Sequence, residues 1–373
     1  MNKIYLLTAA FAVMASLSGC SDTELASIDT VQEKTPIGFH TVGSQMESRA
    51  TIINNGEDLK STTFNVYAFD GDGKAFMGEN DTQLGYGGIN ISYQNDKWDY
   101  TKSSEQKYWP GTVKPLDFYA VNPASFDTDL MPFYGWQINK DKQEIHYTCI
   151  NEYKLNNGES NIDVMYATAK NQTKDNNAGK VSLVFKHILS QIAFKAKTQD
   201  ENTKVEIESI VIHNVDEAGK FVMPTEGSTG TGWTLKGSLQ NFVIGMNSAT
   251  TVDNTGTKVF TKPILFVPQQ LTKWATTAST PMTIEEADVA KQCYLEIICK
   301  ISIDGTYPHG TATKFEKLYV PFEADWQPGK RYVYTLIFGG GYTEKGNPVL
   351  TPISFEPSVE PWKDENKDIN NQQ

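Results

Sequence analysis

Val181-Ser182-Leu183-Val184-Phe185-Lys186-His187, then Gln191-Ile192-Ala193-Phe194-Lys195-Ala196, then Val205 to His213 follow one another closely and decide the fold class. Each run has strand length and is rich in apolar and β-branched residues. In the third, Val205, Ile207, Ser209 and Val211 fall on one side, the period-two pattern of a half-buried strand. Working outward, the same reading applies to Thr63 to Phe69, closed by the turn residues Asp70-Gly71-Asp72-Gly73, to Pro115 to Val121, and to Val164 to Ala167. Pro263 to Pro268, Cys293 to Ile303, Lys317 to Phe322 and Arg331 to Phe338 continue the series. The last such region, Thr351 to Trp362, carries Ile353, Phe355 and Val359 among Pro352, Pro357 and Pro361. Proline cannot donate to a ladder, so this region belongs at an edge or is a strand supplied from outside a sheet. Helical evidence is confined to Thr283 to Lys291, where Thr283 precedes Glu285 and Glu286 as a cap. Many short strands with Gly, Asn and Asp turns make the chain all-β, built of β-sandwiches.

A length of 373 residues suits two domains, and 39% hydrophobic content with 7 Trp, 17 Tyr and 18 Phe supplies their cores. The boundary is expected in the polar stretch Asn171 to Lys180. A net charge of -12 without a basic block excludes nucleic acid as a partner, because phosphate neutralisation needs clustered Lys and Arg.

The N-terminus is a targeting segment. Lys3 precedes the apolar run Ile4 to Leu17, which is shorter than the ~20 residues a spanning helix needs. Leu17-Ser18-Gly19-Cys20 then has the form of a lipoprotein signal, with small residues before a cysteine that is acylated. Acyl chains at ~0.8 kcal/mol per buried methylene would hold the chain on a membrane. With Cys20 lipidated, Cys149, Cys293 and Cys299 remain as buried free thiols; no C-x-x-C spacing points to zinc. Residues Ser21 to Glu47 are polar apart from the extended candidate Pro36-Ile37-Gly38-Phe39-His40. Next comes Met46-Glu47-Ser48-Arg49-Ala50-Thr51, whose arginine is an accessible target for an arginine-specific protease.

Candidates for site chemistry resolve to structural roles. Asp70-Gly71-Asp72-Gly73 starts like a calcium loop, but its fifth position, which needs an oxygen ligand, holds Lys74, and its twelfth, which needs a glutamate, holds Asp81, so a hairpin turn is expected. The five histidines are scattered without metal-binding spacing, and His187 reads as a core or interface residue. Neither a nucleophile elbow nor a phosphate-cradling loop occurs, so no enzyme, cofactor or metal is expected. Trp98, Tyr100, Tyr108 and Trp109 form the densest aromatic group; they suit a carbohydrate platform, but their periodicity favours strand cores.

Taken together, Leu17 to Cys20, Arg49-Ala50, Val164 to Ala167, Val181 to Phe194, Trp326-Gln327-Pro328-Gly329-Lys330-Arg331-Tyr332-Val333-Tyr334 and Val359-Glu360-Pro361-Trp362 resemble the fimbrillins, the lipoprotein-precursor pilins of type V pili. The resemblance implies two tandem transthyretin-like antiparallel β-sandwich domains. It implies a signal peptide at 1–19, a propeptide with the first strand at 20–49, an N-terminal sandwich at 50–178 and a C-terminal one at 179–373. Cys20 would be lipidated at the outer membrane and the chain cut between Arg49 and Ala50. The strand around Ile37 and Phe39 would then leave, and other pilin subunits would fill its groove by β-strand addition. Lys363 to Gln373 is too polar to fill such a groove. Either the segment with Ile353, Phe355, Val359 and Trp362 is the assembly strand, or the subunit accepts a strand and donates none, as a tip subunit facing a host protein or glycan receptor would. The tip is slightly favoured. The other reading is a non-polymerising surface lipoprotein that binds glycan through exposed aromatics.

Overall fold

Thr63–Asp70 is the strand around which the first half is organised, and it is buried along nearly its whole length. Its side chains divide by parity, as a pleated strand requires. Phe64, Val66 and Ala68 enter one apolar core, and Tyr67 and Phe69 enter another. The structure is a computed structural model that describes residues 34–42, 56–78, 87–111, 114–124, 134–149, 162–199, 201–225, 229–258, 264–338, 340–350 and 354–361. Among these residues, strands dominate and helix is confined to a few short turns.

The first sheet runs Lys180–Val184, Gly38–Val42, Lys97–Tyr100, Ile89–Gln94, Thr63–Asp70, Leu116–Asn122, Met165–Gln172 and Lys186–His187, with Ala75–Met77 beside Thr63–Asp70. Its two outer members are consecutive in sequence and separated by Phe185 alone. One continuous segment therefore joins both ends, and the sheet curls on itself around a core that includes Phe64, Phe118, Met165, Leu183 and Phe185.

A second pair of sheets encloses the larger core. One contains Thr257–Lys258, Ser190–Thr198, Lys330–Phe338 and Ser354–Pro361, with Ile264–Phe266 also on Ser190–Thr198. The other runs Leu239–Val252, Thr203–Asp216, Tyr294–Ile303, Glu316–Pro321, Gly340–Tyr342 and Pro348–Leu350. Ile192, Phe194, Ile207, Ile297, Phe322, Trp326 and Leu336 fill the space between them. The helix Ile284–Val289 starts with the anticipated cap: Glu286 N donates to Thr283 Oγ1 over 3.2 Å, and Thr283 N donates to Glu286 Oε2 over 2.8 Å.

Three features go beyond the sequence reading. The ladders are antiparallel except for two among the described strands: Gly38–Val42 on Lys180–Val184, and Ser190–Thr198 on Lys330–Phe338. Lys180–Val184 and Lys186–His187, which follow the 178/179 boundary expected from sequence, pair within the first sheet. A four-stranded sheet also pairs Gln143–Thr148 with Ala218–Val222, with Tyr134–Ile138 and Trp233–Leu235 on its outer sides. Trp136 in this sheet donates its indole N–H to Tyr67 OH over 2.9 Å, and both side chains belong to the larger core.

Candidate functional site: the seat of the first strand

Gly38–Val42 lies between Lys180–Val184, which it pairs in parallel from Gly38↔Lys180 to Val42↔Val184, and Lys97–Tyr100, which it meets at Phe39↔Trp98. Alternation directs Ile37 and Phe39 inward, at 1% and 5% exposure, while His40 stays outside. Phe39 contacts the rings of Phe64 and Tyr100 at centroid distances of 6.4 and 5.8 Å. A Cβ at Gly38 would stand 3.2 Å from Lys180 Cγ, so the glycine permits the close approach of the two strands. The entrance is fixed by the main chain: Ile37 N donates to Lys107 O and Trp109 N to Thr35 O, each over 2.9 Å. Tyr100 OH donates to Ile37 O over 3.1 Å, and burial pushes its phenol well above the ordinary value. Full burial of one large apolar side chain stabilises by about 1.5–3 kcal/mol, so Ile37 and Phe39 hold this segment by several kcal/mol.

The slot is a continuation of the apolar core, with Trp98, Tyr100, Trp109, Val181 and Leu183 in the same cluster as Ile37 and Phe39. Trp98 and Trp109 are each only 7% exposed, and the Trp109 indole donates to Gly179 O over 2.9 Å. These two indoles are therefore wall residues and not an exposed platform for sugars, which corrects the glycan reading based on them. The sequence offered no sign that Lys180–Val184 is the partner of the first strand, because the pairing joins residues some 140 apart.

Cys20, Arg49, Ala50, Ile353 and Trp362 lie outside the described residues. Phe355 and Val359 lie on the strand Ser354–Pro361, which pairs antiparallel with Lys330–Phe338 in the register Phe355↔Leu336 and Val359↔Tyr332. Within this chain the closing strand thus occupies the edge of its own sheet, as its prolines require.

The remaining candidates have structural positions. Asp70 Oδ1 accepts from Asp72 N and Lys74 N over 3.0 and 2.9 Å, which makes the Asp-Gly-Asp-Gly segment a side-chain-closed hairpin turn. His187 is partly buried, with Nδ1 3.0 Å from the Asp163 carboxylate. Among the described residues no group of three metal-ligating side chains occurs, and no helix is long and apolar enough to cross a membrane. Cys149, Cys293 and Cys299 are buried free thiols, and burial pushes the Cys149 thiol up to about 12.

Comparison with known proteins agrees with this architecture. A solved fimbrial protein from Bacteroides vulgatus superposes with a TM-score of 0.54 at 14% identity, over 88% of this chain and 99% of that one, which shows a shared fold. The fimbrium subunit Fim1C of Phocaeicola vulgatus is 25% identical over 189 residues, so the match takes in 48% of this chain and about half, 48%, of that relative's length. The family model described as fimbrillin-like matches residues 48–362. With that match covering most of its length, the chain belongs to the fimbrillin-like family, whose members are structural subunits and not enzymes.

Proposed function

We propose that the chain is a structural and adhesive subunit of a type V pilus, matured by loss of its first strand. The observation that carries this reading is the covalent path around the slot. Arg49 lies between the first strand, Gly38–Val42, and the next element, the helix Gly56–Lys60. A cut after Arg49 leaves the first strand attached by hydrogen bonds and by Ile37 and Phe39 alone. Its departure would open a long apolar groove flanked by unpaired strand edges, a surface that a partner strand covers well. Lipidation at Cys20 would keep the precursor at the outer membrane until that exchange.

The proposal includes two sandwich-like halves that change over at Ile188–Leu189, joined by the shared four-stranded sheet. The paired position of Ser354–Pro361 favours a subunit that accepts a strand and donates none, and so a tip or minor position. The test is Arg49→Ala in the native cell. Filaments containing this subunit should disappear while the uncut chain stays membrane-bound; unchanged filaments would overturn the proposal.

A further inference from the structure

The first strand meets its slot through Thr35-Pro36-Ile37-Gly38-Phe39, and the slot sets a condition at each position. Thr35 and Pro36 are exposed, and Pro36 stands opposite Tyr108 in an antiparallel bridge. The bonds on either side of that bridge, Trp109 N to Thr35 O and Ile37 N to Lys107 O, bypass Pro36, so its missing N–H costs this pairing nothing. Ile37 and Phe39 are buried, and Tyr100 OH donates to the Ile37 carbonyl. Between them the residue must be small, because a Cβ at position 38 already stands 3.2 Å from Lys180 Cγ. The strand also has a fixed direction, parallel to Lys180–Val184.

The same sequence chemistry recurs at the other end of the chain. Thr351-Pro352-Ile353-Ser354-Phe355 repeats Thr, Pro, Ile and Phe at identical spacing, with serine at the small position. This second copy is engaged elsewhere: Phe355 lies opposite Leu336 in the ladder of Ser354–Pro361 on Lys330–Phe338. A strand entering the vacated slot therefore comes from another subunit. In strand addition the main chain supplies affinity and the pockets for alternate side chains supply selectivity.

We propose that the slot is sequence-selective and takes a strand of another subunit that carries Thr-Pro-Ile-(Gly or Ser)-Phe and runs parallel to Lys180–Val184. The inference rests on the strand-loss reading. Its test uses the full chain, nicked after Arg49 by an arginine-specific protease and followed by native mass spectrometry with synthetic peptides. The only other arginine, Arg331, lies in a strand paired on both sides. The nicked protein should exchange the fragment before Ala50 for a peptide with the sequence of residues 351–358. The reversed peptide keeps the composition and the apolar spacing, yet should bind about tenfold more weakly, as should peptides with Ile353→Asp or Phe355→Asp. Ser354→Leu in the peptide should also weaken binding, and Lys180→Ala in the protein should restore it. The other substitutions are in the peptide, so misfolding of the protein cannot explain a loss. Equal exchange of the reversed peptide, or full binding of any substituted one, would overturn the selectivity and leave strand loss intact. A fragment that stays bound after nicking whichever peptide is added would overturn both.

Discussion

Phe39 meets Phe64 edge-to-face, with ring centroids 6.4 Å apart and planes at 88°. The contact joins a residue on one side of the proposed cut to the strand at the centre of the first core. Such aromatic pairs contribute about 0.5–1.5 kcal/mol beyond the area they bury. The segment proposed to be removed is thus an integral part of the precursor core, and its removal changes the stability of what remains.

Phe39→Ala should therefore destabilise the precursor by about 3–5 kcal/mol, the usual cost of truncating a buried phenylalanine. The cut chain starting at Ala50 lacks residue 39, and its stability should be the same whichever precursor it came from. Denaturant unfolding of both forms checks this, and a precursor indifferent to Phe39→Ala would show that the strand is not seated in solution.

Trp98→Ala tests the wall of the slot. The indole is buried against Phe64 at 4.9 Å and Tyr93 at 5.4 Å, so its loss should cost about 3–5 kcal/mol of precursor stability. Binding on a glycan array should not change beyond what lost folding explains. A fully folded variant with selective loss of glycan binding would restore the platform reading.

Much of the strand pattern is legible in the amino-acid sequence alone. Thr63 to Phe69, Cys293 to Ile303 and Arg331 to Phe338 fall close to the observed strands because period-two alternation is a local signal. The short run around Ile37 and Phe39 is legible for the same reason, and Thr283 announces its helix through capping chemistry. Partner choice is not legible. The parallel ladder of Gly38–Val42 on Lys180–Val184 and the sheet joining Gln143–Thr148 to Ala218–Val222 depend on tertiary burial, which leaves no trace in local spacing.

Glu296 gives a pH dependence with a definite sign. Burial alone would raise its carboxyl, but His213 Nε2 at 3.6 Å and Lys317 Nζ at 2.9 Å outweigh it and hold the group below its ordinary value of 4.5. A carboxyl depressed in the folded state contributes its full stabilisation above 4.5 and loses it as pH falls through the lower folded value. Glu296→Gln should flatten the decline of Tm below pH 4.5 relative to wild type. Parallel Tm profiles for the two proteins would contradict this.

The three buried thiols should be silent in the native state, because the thiolate is the reactive form and burial raises the thiols of Cys149, Cys293 and Cys299. Ellman titration of the native protein should detect none of them, and all should react after denaturation. Fast reaction without denaturant would mean that the larger core opens readily.

The most direct test of strand loss is the mass and N-terminal sequence of the protein taken from the native cell surface. Maturation by strand loss predicts an unlipidated chain beginning at Ala50. A chain beginning at acylated Cys20, with Ile37 and Phe39 still in their slot, would contradict it.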